Sequence, residues 1–255
     1  MLKNIKLHKK KNVRDMGLDG RVKEKLLLRG DLFSGLNRKD IEVLKDEYLL
    51  DTVIDVRTKE EAEEKPDIIA EGINHIVEPF YEEHAPGLTQ ESQSQFWKDP
   101  ESIIPDMVKL YHEMLQDKKL ENVRKIIRHI MDHDPKDGSI WFHCTQGKDR
   151  TGVIAFVIYL LLDIDDKTII DDYLYTNVVA HRKANRFYRI VRMIMNKNVA
   201  ERVRGVFSAD ESFVMALFDE VYETWGTKEN FIRNGLKISK EEQDMFKRKY
   251  LIMEE

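Results

Sequence analysis

The stretch TGVIAFVIYLLL, Thr151–Leu162, has helical composition but no polar face. A helix that is apolar all round must be buried on every side, so it belongs at the centre of a layered structure. Its apolar run, Val153 to Leu162, is about ten residues, half of what a membrane span requires. The surrounding layers are legible upstream. Short runs rich in β-branched and aromatic residues, at Leu26–Arg29, Thr52–Val56, His75–Val77 and Ile140–His143, read as buried strands. Helical periods separate them at Arg38–Glu47, Glu60–Glu64 and Leu120–Met131, the last with apolar residues at 120, 123, 126, 127 and 130. Strands alternating with helices predict an α/β fold, a mostly parallel sheet of about four to five strands flanked by helices. After the central helix the pattern is helical: Asp165–Tyr175, Arg182–Met195, Ala209–Trp225, Lys228–Arg233 and Lys240–Leu251. Ser208 with Glu211, and Ser239 with Glu242, have capping-box spacing, and Gly226 and Gly235 mark stops.

No repeat or low-complexity linker divides the 255 residues, so residues 1–255 read as a single domain with a helical C-terminal part from 208 to 255. A hydrophobic content of 42% is enough for one core. The net charge of −5 is too mild to suggest nucleic acid as a partner. Basic residues are nonetheless concentrated in Lys3–Arg29 and Arg182–Arg204, which allows an anionic substrate and a transient contact with a membrane surface. Cys144 is the only cysteine, so an intrachain disulfide and a multi-thiolate metal site are excluded. The basic N-terminus has no apolar core typical of a signal peptide. A cytoplasmic location is expected, secretion being open only if a leader has been removed. The polar, proline-containing stretch from Tyr81 to Pro105 is irregular, and with the short helix Asp106–Leu115 it suggests a lid over residues 81–117.

The lone cysteine lies in HCTQGKDRTG, His143–Gly152, between the end of a strand and the start of the central helix. Such a turn points successive backbone N–H groups inward at a helix N-terminus and makes an anion site. The same groups favour a thiolate over a thiol. Thr145, Gln146, Gly147 and Lys148 would line the anion cradle. Arg150 can grip two phosphoryl oxygens with its planar fork, Gly147 lets the backbone approach closely, and Thr151 can offer a hydroxyl to the thiolate. An inert core cysteine would not need this polar, glycine-containing run. His143 has no ligand-spaced His or Asp cluster beside it, so no metal and no cofactor is expected.

The loop resembles the signature of cysteine-dependent phosphatases, and its GKDRT form resembles the bacterial atypical tyrosine- and lipid-phosphatase family. NVRDMG (Asn12–Gly17), LLLRGDL (Leu26–Leu32), TVIDVRT (Thr52–Thr58) and VEPF (Val77–Phe80) resemble other elements of that family. Two departures stand out: Leu18 replaces the second glycine of the N-terminal element, and Gly30 replaces a serine. The resemblance implies a cysteine-phosphatase-like fold and hydrolysis of phosphate monoesters through a phosphocysteine on Cys144. It implies Asp149 as the acid that protonates the leaving group, with Glu82 as the alternative acid or as a partner of Lys148. Lys148 resembles a loop lysine that meets extra phosphates of phosphoinositides, and Arg182, Arg186 and Arg189 share a helical face that could extend this field. The implied substrates are therefore phosphotyrosine proteins and phosphoinositides. A phosphotyrosine-only phosphatase, a silent phosphate-binding module and a sulfur-transfer loop are the competing readings, the last disfavoured by the HC-x5-R frame.

Overall fold

The computed structural model describes residues 5–8, 12–17, 20–82 and 104–252. Its sheet has the order β1-β2-β5-β3-β4, with β1 Arg14–Asp15, β2 Leu27–Gly30, β3 Leu50–Asp55, β4 Asn74–Val77 and β5 Ser139–His143. Four strands are parallel, and β1 pairs antiparallel to β2. The expected α/β sheet is present; β1 escapes sequence reading because two residues carry no period. In register, Gly30 and Asp55 both lie opposite His143, so the C-terminal ends of three strands meet where the cysteine loop begins.

Period-two alternation assigns the two faces. Leu27, Ile54, Ile140 and Phe142 point into the larger apolar cluster, while Leu28, Val53 and Trp141 point into the smaller one. The small cluster is closed by α1, Arg38–Tyr48, through Leu44. The short α2, Lys59–Glu64, follows β3. The large cluster takes α3 Met107–Glu113, α4 Asp117–Asp132 and α5 Asp149–Leu161. In α5 every residue from Arg150 to Leu161 is buried, as its composition demands. Then come α6 Asp166–Tyr175, α7 Asn177–Ile194, α8 Lys197–Phe207, α9 Glu211–Trp225, α10 Lys228–Asn230, a π-helical turn at Phe231–Gly235 and α11 Lys240–Tyr250. Helices α7 and α8 form a hairpin with its own small core of Val191, Val199, Ala200, Val203 and Ile104.

Two expectations need correction. The basic stretch after residue 176 holds two helices, not one, because Asn196 caps a second start by accepting from the Val199 N–H. Ser208 does not open α9; it ends α8, and Asp210 caps α9 instead. Ser239 and Glu242 do form their box, and boxes at Asn37–Asp40 and Thr58–Glu61 are added to it. Of the expected lid, residues 83–103 lie outside the described residues.

Candidate active site

Loop residues Cys144 to Lys148 connect β5 to α5, and their path is set by what holds the carbonyls. Asn12 Nδ2 donates to the Gln146 and Gly147 carbonyls at 3.1 and 3.2 Å, and Arg29 Nη2 donates to the Gly147 carbonyl at 3.2 Å. With carbonyls drawn outward, the Gly147 N–H turns inward and donates to Cys144 Sγ at 3.3 Å. Gly147 has φ +67°, and an added Cβ would lie 2.6 Å from the Gly30 carbonyl. Gly30 is constrained in turn, since its Cβ would meet the Trp141 ring at 2.6 Å. The replacement of serine there is thus explained by the large ring beneath.

The anchors of this loop are charged and buried. Asp172 on α6 sits between Arg14, at 2.7 Å, and Arg29, all three having almost no exposure. Burial alone would raise the Asp172 carboxyl, but the two guanidinium groups hold it below its ordinary range. Burial lowers Arg29, and the neighbouring Arg14 adds to that. The N-terminal Asn12–Arg14 element therefore acts on the loop through two routes, one direct and one through Asp172.

Arg150, in the first turn of α5, is positioned by a residue that sequence reading did not single out. Glu61 Oε2 accepts from Arg150 Nη1 at 2.5 Å, and Oε1 accepts from Nη2 at 2.9 Å. The same Oε1 accepts from the Thr145 hydroxyl at 2.7 Å. Glu61 is placed by local structure: it is the third residue of α2, in a reciprocal capping box with Thr58. Burial would raise this carboxyl, yet the hydrogen bonds and charge of Arg150 bring it down to about 2. Arg150 is correspondingly raised, Glu61 outweighing the effect of burial. The Thr58-x-x-Glu61 spacing was the available signal.

Asp149, the first residue of α5, is 29% exposed at its side chain. Its Oδ1 accepts from the Tyr111 hydroxyl at 2.6 Å, and Tyr111 meets the Tyr173 hydroxyl at 2.7 Å. Both phenols are pushed well up, by burial first and by the Asp149 carboxylate next. Oδ2 has no partner among the described residues. Tyr81 is also buried here, its hydroxyl without a described partner, and burial pushes its phenol up. Thr151 Oγ1 is likewise buried and unpartnered among the described residues.

Lys148 departs from expectation. It is 1% exposed, and its ammonium donates to the Gly205, Val206 and Ser208 carbonyls at 3.2, 2.7 and 3.1 Å, with Asp149 Oδ1 at 3.3 Å. It caps the last turn of α8, where a cation satisfies carbonyls that the helix leaves free. Glu82 is not brought to Lys148: its side chain is 60% exposed and pairs with Lys118 at 3.9 Å. Arg186 lies exposed on α7.

Beneath the loop, the His143 imidazole has Nδ1 3.2 Å from the Cys144 carbonyl and Nε2 3.1 Å from Asp67 Oδ2. Asp55, Asp67 and His143 place potential ligand atoms within 4.8 Å of one another, a grouping invisible in the sequence spacing. The Arg57 guanidinium occupies that space, 2.6 Å from Asp55 and 3.0 Å from Asp67. A cation already compensates the two carboxylates, which disfavours a metal ion among them.

A cysteine sulfur under an inward N–H, an arginine fork fixed by a carboxylate, and a second carboxylate at the helix start form a constellation suited to a phosphoryl group. The model of the tyrosine phosphatase family matches residues 5–252. The chain belongs to the tyrosine phosphatase family. A protein of Cupriavidus necator named "Putative tyrosine-protein phosphatase" is 28% identical over 101 residues, 39% of this chain and 36% of that protein. The chain thus covers little more than a third of that relative's length. Within this family member, no described helix is long and apolar enough to cross a membrane.

Proposed function

We propose that this chain hydrolyses phosphate monoesters, with Cys144 as nucleophile and a phosphocysteine as intermediate. The observation that carries the reading is the Arg150 fork, oriented by Glu61 and Thr145 next to a sulfur that receives the Gly147 N–H. The thiolate attacks phosphorus, and the bond to the leaving oxygen breaks. Asp149 gives that oxygen a proton. Its Oδ2 is the atom available for this, because Oδ1 is engaged by Tyr111. Asp149 then takes a proton from water as the water attacks the phosphocysteine, releasing phosphate and restoring the thiolate. Arg150 and the inward N–H groups hold the equatorial oxygens throughout.

Family membership supports phosphotyrosine as substrate. Phosphoinositides are proposed as a second class, supported by the exposed arginines of α7 and no longer by Lys148, whose donors are directed at α8. The lone thiol supports a reducing, cytoplasmic setting. The test is hydrolysis of a chromogenic aryl phosphate, acid-quench trapping of 32P on Cys144, and rates on phosphopeptides and inositol lipids measured side by side. Cys144→Ser should eliminate turnover and trapping while retaining vanadate binding. Turnover by the serine variant would overturn the mechanism.

A further inference from the structure

Helix α7 presents an outer surface that is exposed among the described residues. Between Asn177 and Ala200 the chain has no aspartate or glutamate, yet it carries Arg182, Arg186, Arg189, Arg192 and two lysines, in a protein of net charge −5. Toward the hairpin core α7 buries Ala184 and Val191. At 100° per residue, Arg182, Arg186, Arg189 and Met193 form one stripe on the outer side, and Ile190 and Ile194 lie on the stripe beside it, while Phe187 stacks on Phe207 of α8. Met193 is 80% exposed, Val178 64% and Ile194 60%. None of the four arginines has an ion pair or hydrogen bond to a described residue.

We propose that this outer face of α7 docks on an anionic membrane surface. Two features on one helix carry this. The arginines are cations without a partner among the described residues, and lipid phosphates would neutralise them, each attracted within about 10 Å of the surface. The large aliphatic side chains between them are out of place in water and suit the acyl boundary below the headgroups. An acidic protein would account for the arginines but would leave Met193 and Ile194 with no purpose, since the face is a convex helix and not a groove. The hairpin is also tied to the catalytic loop. Lys148 holds the end of α8, and Asn177 at the start of α7 exchanges hydrogen bonds with the Ala209 backbone at 2.8 and 2.9 Å. Docking through α7 does not depend on which ester Cys144 cleaves, although the same exposed arginines support the phosphoinositide reading.

The experiment uses the full chain as Cys144→Ser, so that turnover cannot alter the lipid, and measures co-sedimentation with two vesicle types. One is phosphatidylcholine alone and the other is an equal mixture with phosphatidylglycerol. Binding is expected to the mixed vesicles only. Arg182→Glu with Arg189→Glu should weaken it by about tenfold or more, and about 1 M salt should remove the charge-driven part. Met193→Ser with Ile194→Ser should weaken it several-fold, with an unchanged melting temperature showing that these exposed sites leave the fold intact. Absence of binding, or equal binding to both vesicle types, overturns the proposal. Loss on charge reversal with no effect of the serine pair overturns it too, and assigns the face to an acidic protein instead.

Discussion

At the residue scale the sharpest question is who moves the proton. Asp149 has one oxygen fixed by Tyr111 and one without a partner among the described residues, whereas Glu82 is paired with Lys118 at the surface. Asp149→Asn should therefore slow alkyl and inositol phosphates by about 10²- to 10⁴-fold, and aryl phosphates with acidic phenols far less. Glu82→Gln should leave both rates within about twofold, as expected of an exposed pair. Tyr111→Phe removes the bond that orients Asp149, together with the contact to the Tyr173 hydroxyl. A hydrogen bond to a charged group is worth about 1.5–3 kcal/mol, so a loss of roughly one to two decades is expected, with the same leaving-group dependence as Asp149→Asn. A loss equal across leaving groups would mean that Tyr111 supports the core and not the acid. Glu61→Gln should raise KM more than it lowers kcat, because it loosens the fork that we propose receives the phosphoryl oxygens. Steady-state kinetics on an aryl phosphate would resolve the two.

Elements matter because two of them are fastened to the loop by single side chains. Helix α2 aims Glu61 at Arg150 through the Thr58 box, and α8 ends on Lys148. Thr58→Ala should cost about 0.5–2 kcal/mol of stability by denaturant titration, and should reproduce part of the Glu61→Gln rise in KM. Lys148→Ala leaves three carbonyls at the end of α8 without their cation. The expected result is faster proteolytic cleavage near Phe207–Asp210 and an equal slowing of phosphotyrosine and inositol-lipid hydrolysis. A selective loss on polyphosphorylated lipids would instead put the ammonium on substrate, against its present orientation.

For the molecule as a whole, buried charge decides how the sheet end and helices hold together. Asp172→Asn strands Arg14 and Arg29 inside the protein, and losing one partner of such a group costs about 3–5 kcal/mol, visible as a large fall in melting temperature. Acid should act through Glu61. Its folded value of about 2 lies below the ordinary 4.5, so the unfolded chain binds this proton first. The stabilisation it gives is complete above pH 4.5 and is lost as pH falls toward about 2, and Glu61→Gln should show a shallower loss of stability over that window in urea titrations. How much of this was legible depends on range. Period-two and period-3.6 patterns and the all-apolar α5 are local, and they determined the strands, the central helix and the place of Cys144 and Arg150 between them. The helix read at Arg182–Met195 stops where α7 ends, but α8 goes unassigned because its N-cap, Asn196, is also a residue that ends helices and opens turns. Only the tertiary structure decided that Glu61 meets Arg150 across 89 positions, that Tyr111 meets Asp149 across 38, and that Asp172 joins Arg14 and Arg29. It also turned Lys148 from the substrate to a helix end. The physical reason is that a buried charge must find its complement wherever packing brings one within about 3 Å, and sequence spacing carries no record of that distance.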